Sequence, residues 1–121
     1  MSKKVLIVDD EPNIVVSLEF LMSQQGYEID VARDGEQALH LLESFKPDLV
    51  LLDVMLPNKT GFEICQLIKE KPEWRHIIVI LLTAKGREAD ITKGMALGAD
   101  AYVTKPFSTK ELVEKVAKMF E

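Results

Sequence analysis

Pro47-Asp48-Leu49-Val50-Leu51-Leu52-Asp53 is the stretch on which the reading of this chain turns. Four consecutive apolar residues leave no polar face, so Asp48–Asp53 reads as a strand buried on both sides. The same signature recurs at Val5–Val8 and at Ile77–Thr83, the most hydrophobic of the three. Glu28–Ala32 alternates polar and apolar residues and suits an edge strand, and Ala101–Thr104 is a short final one.

Helical spacing fills the intervals. Pro12 stands where a first helical residue would, Ile14, Val15, Leu18, Leu21 and Met22 form a stripe behind it, and Gly26 stops it. Asp34 with Gln37, Thr60 with Glu63 and Ser108 with Glu111 have the spacing of capping boxes and open three further helices. Pro47 closes the first of these. Arg87–Leu97 is a weaker helix, with Gly94 inside it and Gly98 as its stop. Trp74 falls in a loop and is read as packing. Asp34, Asp48 and Asp100 are read as caps and turns.

Strands alternating with helices predict a parallel sheet covered on both faces. Right-handed crossovers leave few topologies. The expected fold is an α/β, flavodoxin-like (βα)5 three-layer arrangement with a five-stranded sheet of order 2-1-3-4-5, as one domain over residues 1–121.

The chain has 121 residues, 47% of them apolar and 29% charged, and a formal net charge of −5. It carries no basic stripe, so the reading excludes direct nucleic-acid binding. No apolar run approaches a membrane span, and Met1-Ser2-Lys3-Lys4 leads into a run too short for a signal peptide. A single cysteine, Cys65, allows no intrachain disulfide and reads as a small buried hydrophobe. The expectation is a cytoplasmic protein.

The polar residues that follow the buried strands carry the chemistry. Asp9-Asp10 closes the first strand, Asp53 the third, Thr83 the fourth and Lys105 the fifth. The carboxyl ends of strands in an open α/β sheet share one rim, where ligands bind. Three carboxylates there would repel one another unless a hard divalent cation such as Mg²⁺ joined them. A lysine beside them supplies positive charge for a transferring phosphoryl group, and a carboxylate can itself be the nucleophile. The set fits phosphoryl transfer to an aspartate. Each residue alone has a plainer reading as a turn, cap, core or solvated loop position, and the convergence on one rim favours function. His40 and His76 read as surface residues away from it. No G-x-G-x-x-G and no G-x-x-x-x-G-K-[ST] is present.

These pieces together resemble the receiver domain of bacterial-type two-component response regulators. The resemblance rests on Val5–Asp10 with Glu11, on Leu51-Leu52-Asp53-Val54-Met55-Leu56-Pro57 with Gly61, and on Leu82-Thr83-Ala84. Gly98-Ala99-Asp100 and Tyr102-Val103-Thr104-Lys105-Pro106-Phe107 complete it. It implies that Asp53 is the phosphoacceptor and that Asp9, Asp10, Asp53 and the backbone carbonyl of Met55 hold Mg²⁺. It also implies that Lys105 pairs with the phosphoryl oxygens, that Thr83 moves toward them, that Tyr102 turns inward in response, and that the Lys105–Pro106 bond is cis. Met55 and Lys85 would flank the pocket and tune hydrolysis. The implied partners are a sensor histidine kinase or phosphotransfer protein, and a downstream effector or a second copy docking on the Arg87–Phe120 face. A magnesium-dependent phosphohydrolase is the alternative, but such enzymes place a second acid two residues after the nucleophile, where this chain has Met55. An unphosphorylated scaffold is disfavoured because every reactive group is present.

Overall fold

A computed structural model describes residues 2–57 and 59–121. Five strands and five helices alternate: β1 (Lys4–Val8), α1 (Pro12–Gln24), β2 (Glu28–Ala32), α2 (Gly35–Ser44), β3 (Leu49–Asp53), α3 (Gly61–Glu70), β4 (Ile78–Ala84), α4 (Glu88–Ala96), β5 (Ala101–Lys105) and α5 (Thr109–Met119). The sheet is parallel, in the order β2-β1-β3-β4-β5. This is the expected doubly wound topology, and consecutive crossovers reverse direction between β1 and β3.

The apolar runs are continuous because each strand feeds two cores. Leu6, Val8, Val50, Leu52, Val79 and Leu81 face a layer built from Leu42 of α2 and Ile64, Cys65 and Ile68 of α3. Val5, Ile7, Leu49, Leu51, Ile80, Leu82 and Val103 face Leu18 and Met22 of α1 and Leu112 and Val116 of α5. Alternate residues point to opposite sides, so neither face tolerates a polar position in the central strands.

Capping follows the predicted residues with one correction. Asp34, Thr60 and Ser108 each accept a bond from the backbone N–H three residues on. Among the described residues the return bond of a full capping box forms only at Thr60, from its N–H to Glu63 at 3.4 Å. The Gln37 side chain accepts instead from Arg33 N–H at 2.9 Å, and Glu111 makes no such bond. Pro12 begins α1, and Gly26 beyond its end has φ +86°. α2 is ended one step earlier than Pro47, by Lys46 in the left-handed region at φ 55°.

Asp48 and Asp100 do more than turn the chain. The Asp48 carboxylate accepts from Lys4 N–H at 2.8 Å and its carbonyl accepts from Ile78 N–H at 3.0 Å, stitching the starts of three strands. Asp100 accepts from Val79 N–H at 2.8 Å and pairs with Lys69 at 2.9 Å. Trp74 is buried in the α2–α3 core beneath the Lys71 ammonium, 4.2 Å from its ring centroid. Cys65 is buried there too, and burial pushes its thiol up to about 11, which suits a packing residue and not a nucleophile.

Candidate phosphoacceptor site

β1, β3, β4 and β5 end together at one rim, and in-register pairing sets the depth of each terminal side chain. Asp53 lies opposite Leu82, Thr83 opposite Thr104, and Ala84 opposite Lys105. Asp9 follows β1 directly, held by its N–H to Ala32 carbonyl at 3.1 Å. Four strand ends far apart in sequence thus share one rim.

Asp9 is wholly buried and Asp53 nearly so, while Asp10 is exposed. One carboxylate oxygen from each of these three lies within 4.8 Å of the others. The Lys105 ammonium donates to Asp9 Oδ2 at 2.9 Å and stands 3.4 Å from Asp53 Oδ2. Two backbone N–H groups complete the frame: Glu11 donates to Asp9 Oδ1 at 2.9 Å and Met55 to Asp53 Oδ1 at 3.1 Å. Burial lifts the Asp53 carboxyl to about 6; the Asp9 charge adds to this, and the Met55 N–H and Lys105 oppose it. Burial alone would lower Lys105, but its bonds to Asp9 and Asp53 hold it above its ordinary value. The pocket therefore keeps a cation facing a carboxylate whose ionisation is held back by desolvation.

Thr83 is fully buried at the end of β4. Its Oγ1 is the one buried side-chain polar atom without a hydrogen-bond partner among the described residues. Tyr102 lies two register positions back on β5, opposite Leu81, and points outward with 41% of its surface exposed. The Lys115 ammonium of α5 approaches its ring at 5.9 Å. The Lys105–Pro106 bond is cis. The Met55 side chain is exposed, and the Lys85 N–H ties the loop after β4 to the Lys105 carbonyl at 3.1 Å. His40 and His76 are exposed on α2 and on the turn before β4, outside the acidic cluster.

The side chains at the site are those read from the sequence. The Met55 and Glu11 N–H donors were missed as donors, since any residue but proline supplies one and side-chain identity carries no signal for it. Gly61, quoted only as part of a motif, packs directly against the backbone of Asp53 and Val54.

A buried carboxylate bridged by lysine to a second acid, with a third acid at the rim, thus sits at the switch point of a doubly wound sheet. The profile of the response regulator receiver domain matches residues 5–117, and the chain belongs to that family. It is similar over 98% of its length to 98% of a chain of Chloroflexus aurantiacus J-10-fl assigned as a response regulator, at 33% identity and TM-score 0.94. The chemotaxis response regulator CheY4 of Vibrio cholerae matches at 28% identity and TM-score 0.91, with 98% of each chain covered. The response regulator DrrB of Thermotoga maritima matches at 38% identity and TM-score 0.88, covering 99% of this chain and 53% of that one. The chain is thus a domain of two-component phosphorelay signalling, and domains of this family are switches that work with histidine kinases and effector domains.

Proposed function

We propose that Asp53 is the phosphoacceptor of this receiver domain and that its modification resets the surface formed by Arg87–Phe120. The observation that carries this is the Lys105 bridge between the buried carboxylates of Asp9 and Asp53. An Asp53 oxygen forms the new O–P bond as the phosphorus–nitrogen bond to a donor histidine breaks, and the donor imidazole keeps that bond's electron pair. Lys105 already stands where the transferring oxygens arrive and needs no reorganisation to meet their charge. The Thr83 hydroxyl, unpartnered in the unmodified protein, is free to donate to the same group.

The oxygen donors of Asp9, Asp10 and Asp53 fit Mg²⁺, which takes one or two carboxylates and keeps places for water and phosphate oxygens. The Met55 carbonyl is the remaining protein ligand in this reading. When bound, the ion neutralises the acids and the incoming phosphoryl charge. The donor is a histidine kinase or phosphotransfer protein, and the readout is an effector or a second copy on the Arg87–Phe120 face. The chain acts as a switch in the cytoplasm and not as a phosphohydrolase: position 55 carries methionine, without the second acid such an enzyme uses. Among the described residues no helix is long and apolar enough to cross a membrane.

Incubation with acetyl phosphate and Mg²⁺ tests the assignment. The wild type gains one alkali-labile phosphoryl group by mass spectrometry, and Asp53→Asn gains none. A full adduct on Asp53→Asn would sink it.

A further inference from the structure

Gly61 stands at the first position of α3, eight residues after the acceptor. Its backbone is not in the left-handed region, so φ does not explain the glycine. Space does. A Cβ at Gly61 would collide with the Asp53 carbonyl oxygen and lie only 2.7 Å from Val54 Cα and 2.9 Å from Asp53 carbonyl carbon. These are backbone atoms and cannot swing aside. The Gly61 N–H also donates to the Val54 carbonyl at 3.1 Å, and Val54 N–H donates to Leu82 carbonyl at 3.3 Å. The two peptides after Asp53 are therefore clamped between β4 and the first turn of α3. Those peptides carry the Met55 N–H that holds Asp53 Oδ1.

The other end of the same loop is seated in the same manner. Gly35, at the start of α2, would place a Cβ 2.5 Å from Lys59 Cβ and 3.2 Å from Lys59 N. Its N–H points to the Pro57 carbonyl at 3.4 Å, and Lys59 N–H donates to that carbonyl at 2.8 Å. Two side-chain-free helix starts thus seat the chain at Asp53–Val54 and again at Pro57 and Lys59.

We infer that Gly61 is a positioning residue for phosphoryl transfer: the missing side chain sets the Asp53–Met55 backbone, and with it the aim of the acceptor carboxylate. The inference rests on the assignment of Asp53 as acceptor. It places a determinant of rate in a residue with no functional group, acting through the Met55 N–H. Gly35 supports it from the far side of the loop.

The test compares wild type, Gly61→Ala, Gly35→Ala and Gly26→Ala. The last is a control for lost stability alone, since Gly26 ends α1 at φ +86°, where a Cβ is strained but meets only open space. Each protein is followed over a range of acetyl phosphate at saturating Mg²⁺, and the Met55 amide is observed by ¹⁵N NMR. In Gly61→Ala the maximal rate falls about tenfold or more, as a misplacement near 1 Å produces. The half-saturating donor concentration stays close to wild type, and the Met55 amide signal moves. Gly35→Ala shows a smaller loss of the same kind, and Gly26→Ala keeps rate and signal. Folded Gly61→Ala with the wild-type maximal rate overturns the inference. Where Gly61→Ala does not fold, Gly35→Ala decides, and a wild-type rate there overturns it. A wild type that takes no phosphate overturns the acceptor assignment itself, and this inference with it.

Discussion

At the scale of single residues the pocket trades stability for reactivity. Asp53 is lifted to about 6 by burial, so the folded chain binds that proton more tightly than the unfolded chain does. Unfolding free energy in chelator should therefore fall as pH rises from about 4 through about 6 and level off above, because the unfolded chain releases its proton first. A shift of this size, discounted for solvent at the rim, is on the order of 1 kcal/mol. Asp53→Asn removes the effect, so its thermal midpoint should exceed that of wild type at pH 7.5 and the gap should close toward pH 4. A gap that does not change with pH contradicts the idea. The neighbours separate in the same experiment. Asp10 is exposed and crowds two other acids, so Asp10→Ala should hold or raise the midpoint in chelator while abolishing the rise that Mg²⁺ gives the wild type. Lys105→Ala leaves Asp9 buried without its cation and should cost about 3–5 kcal/mol, the usual effect of breaking a buried pair. Equal midpoints for the two variants would show that the Lys105–Asp9 pair contributes nothing to the fold. The carboxylates and Lys105 were legible in the sequence because each is a polar residue following a strand. The outward Tyr102 and the backbone donors were not, since side-chain direction and N–H geometry depend on the assembled sheet.

At the scale of elements, α4 shows where sequence reasoning reached the right place for an incomplete reason. Gly94 reads as a loss of helix propensity, and the stripe around it is thin. The structure adds that Gly94 is the only buried residue of α4, where a Cβ would meet the Leu81 side chain and come within 3.7 Å of the Phe62 ring. The helix approaches β4 through a missing side chain and has no large residue keyed into the core. Gly94→Ala gains about 1 kcal/mol of propensity and incurs an overpacking cost of about 1–3 kcal/mol. The expected result is a lower urea midpoint, by roughly 1 kcal/mol in stability, and a higher midpoint would show that α4 has room to move outward freely. Boundaries carry the same lesson. The run Ile77–Thr83 is shifted to Ile78–Ala84 because Ile77 N–H closes a turn on Trp74 carbonyl at 2.9 Å, and Ala84 pairs with Lys105 on β5. Apolar pattern marks that a strand exists, and its last residue depends on a partner that the local sequence does not contain. Caps are legible by half: Asp34 and Ser108 accept as expected, while the returning side chain chooses among nearby donors.

At the scale of the whole molecule, the proposed switch runs from the pocket to the surface. Thr83 is buried with an unpartnered hydroxyl at the rim. Tyr102 lies opposite Leu81 on the neighbouring strand β5, exposed, at a cavity of about 590 Å³ whose lining includes Arg87, Ile91, Glu111 and Lys115. α4, whose one buried residue is Gly94, forms one wall and α5 the other. In the proposed switch, a phosphoryl group at Asp53 would draw Thr83 toward it and Tyr102 would turn inward in response, while a weakly anchored helix beside them would take a second arrangement. A nearly complete change of state requires about 5.5 kcal/mol of differential stabilisation, which the phosphoryl contacts with Lys105 and Thr83 would have to supply in large part. Thr83→Ala should therefore still accept phosphate at Asp53, because the nucleophile and Lys105 are untouched, yet fail to carry the change outward. The measurement is ¹⁵N NMR of wild type and Thr83→Ala, each with and without beryllofluoride and Mg²⁺. In the wild type, shifts should run from the pocket through Arg87–Phe120; in Thr83→Ala they should stop near Asp53, Met55 and Lys105. Shifts confined to the pocket in both proteins would mean that this face is not the output. Shifts spreading equally in both would mean that the signal leaves by another path, and the segments Val54–Pro57 and Lys59–Gly61 would be the next to examine, since they touch the acceptor and the start of α2.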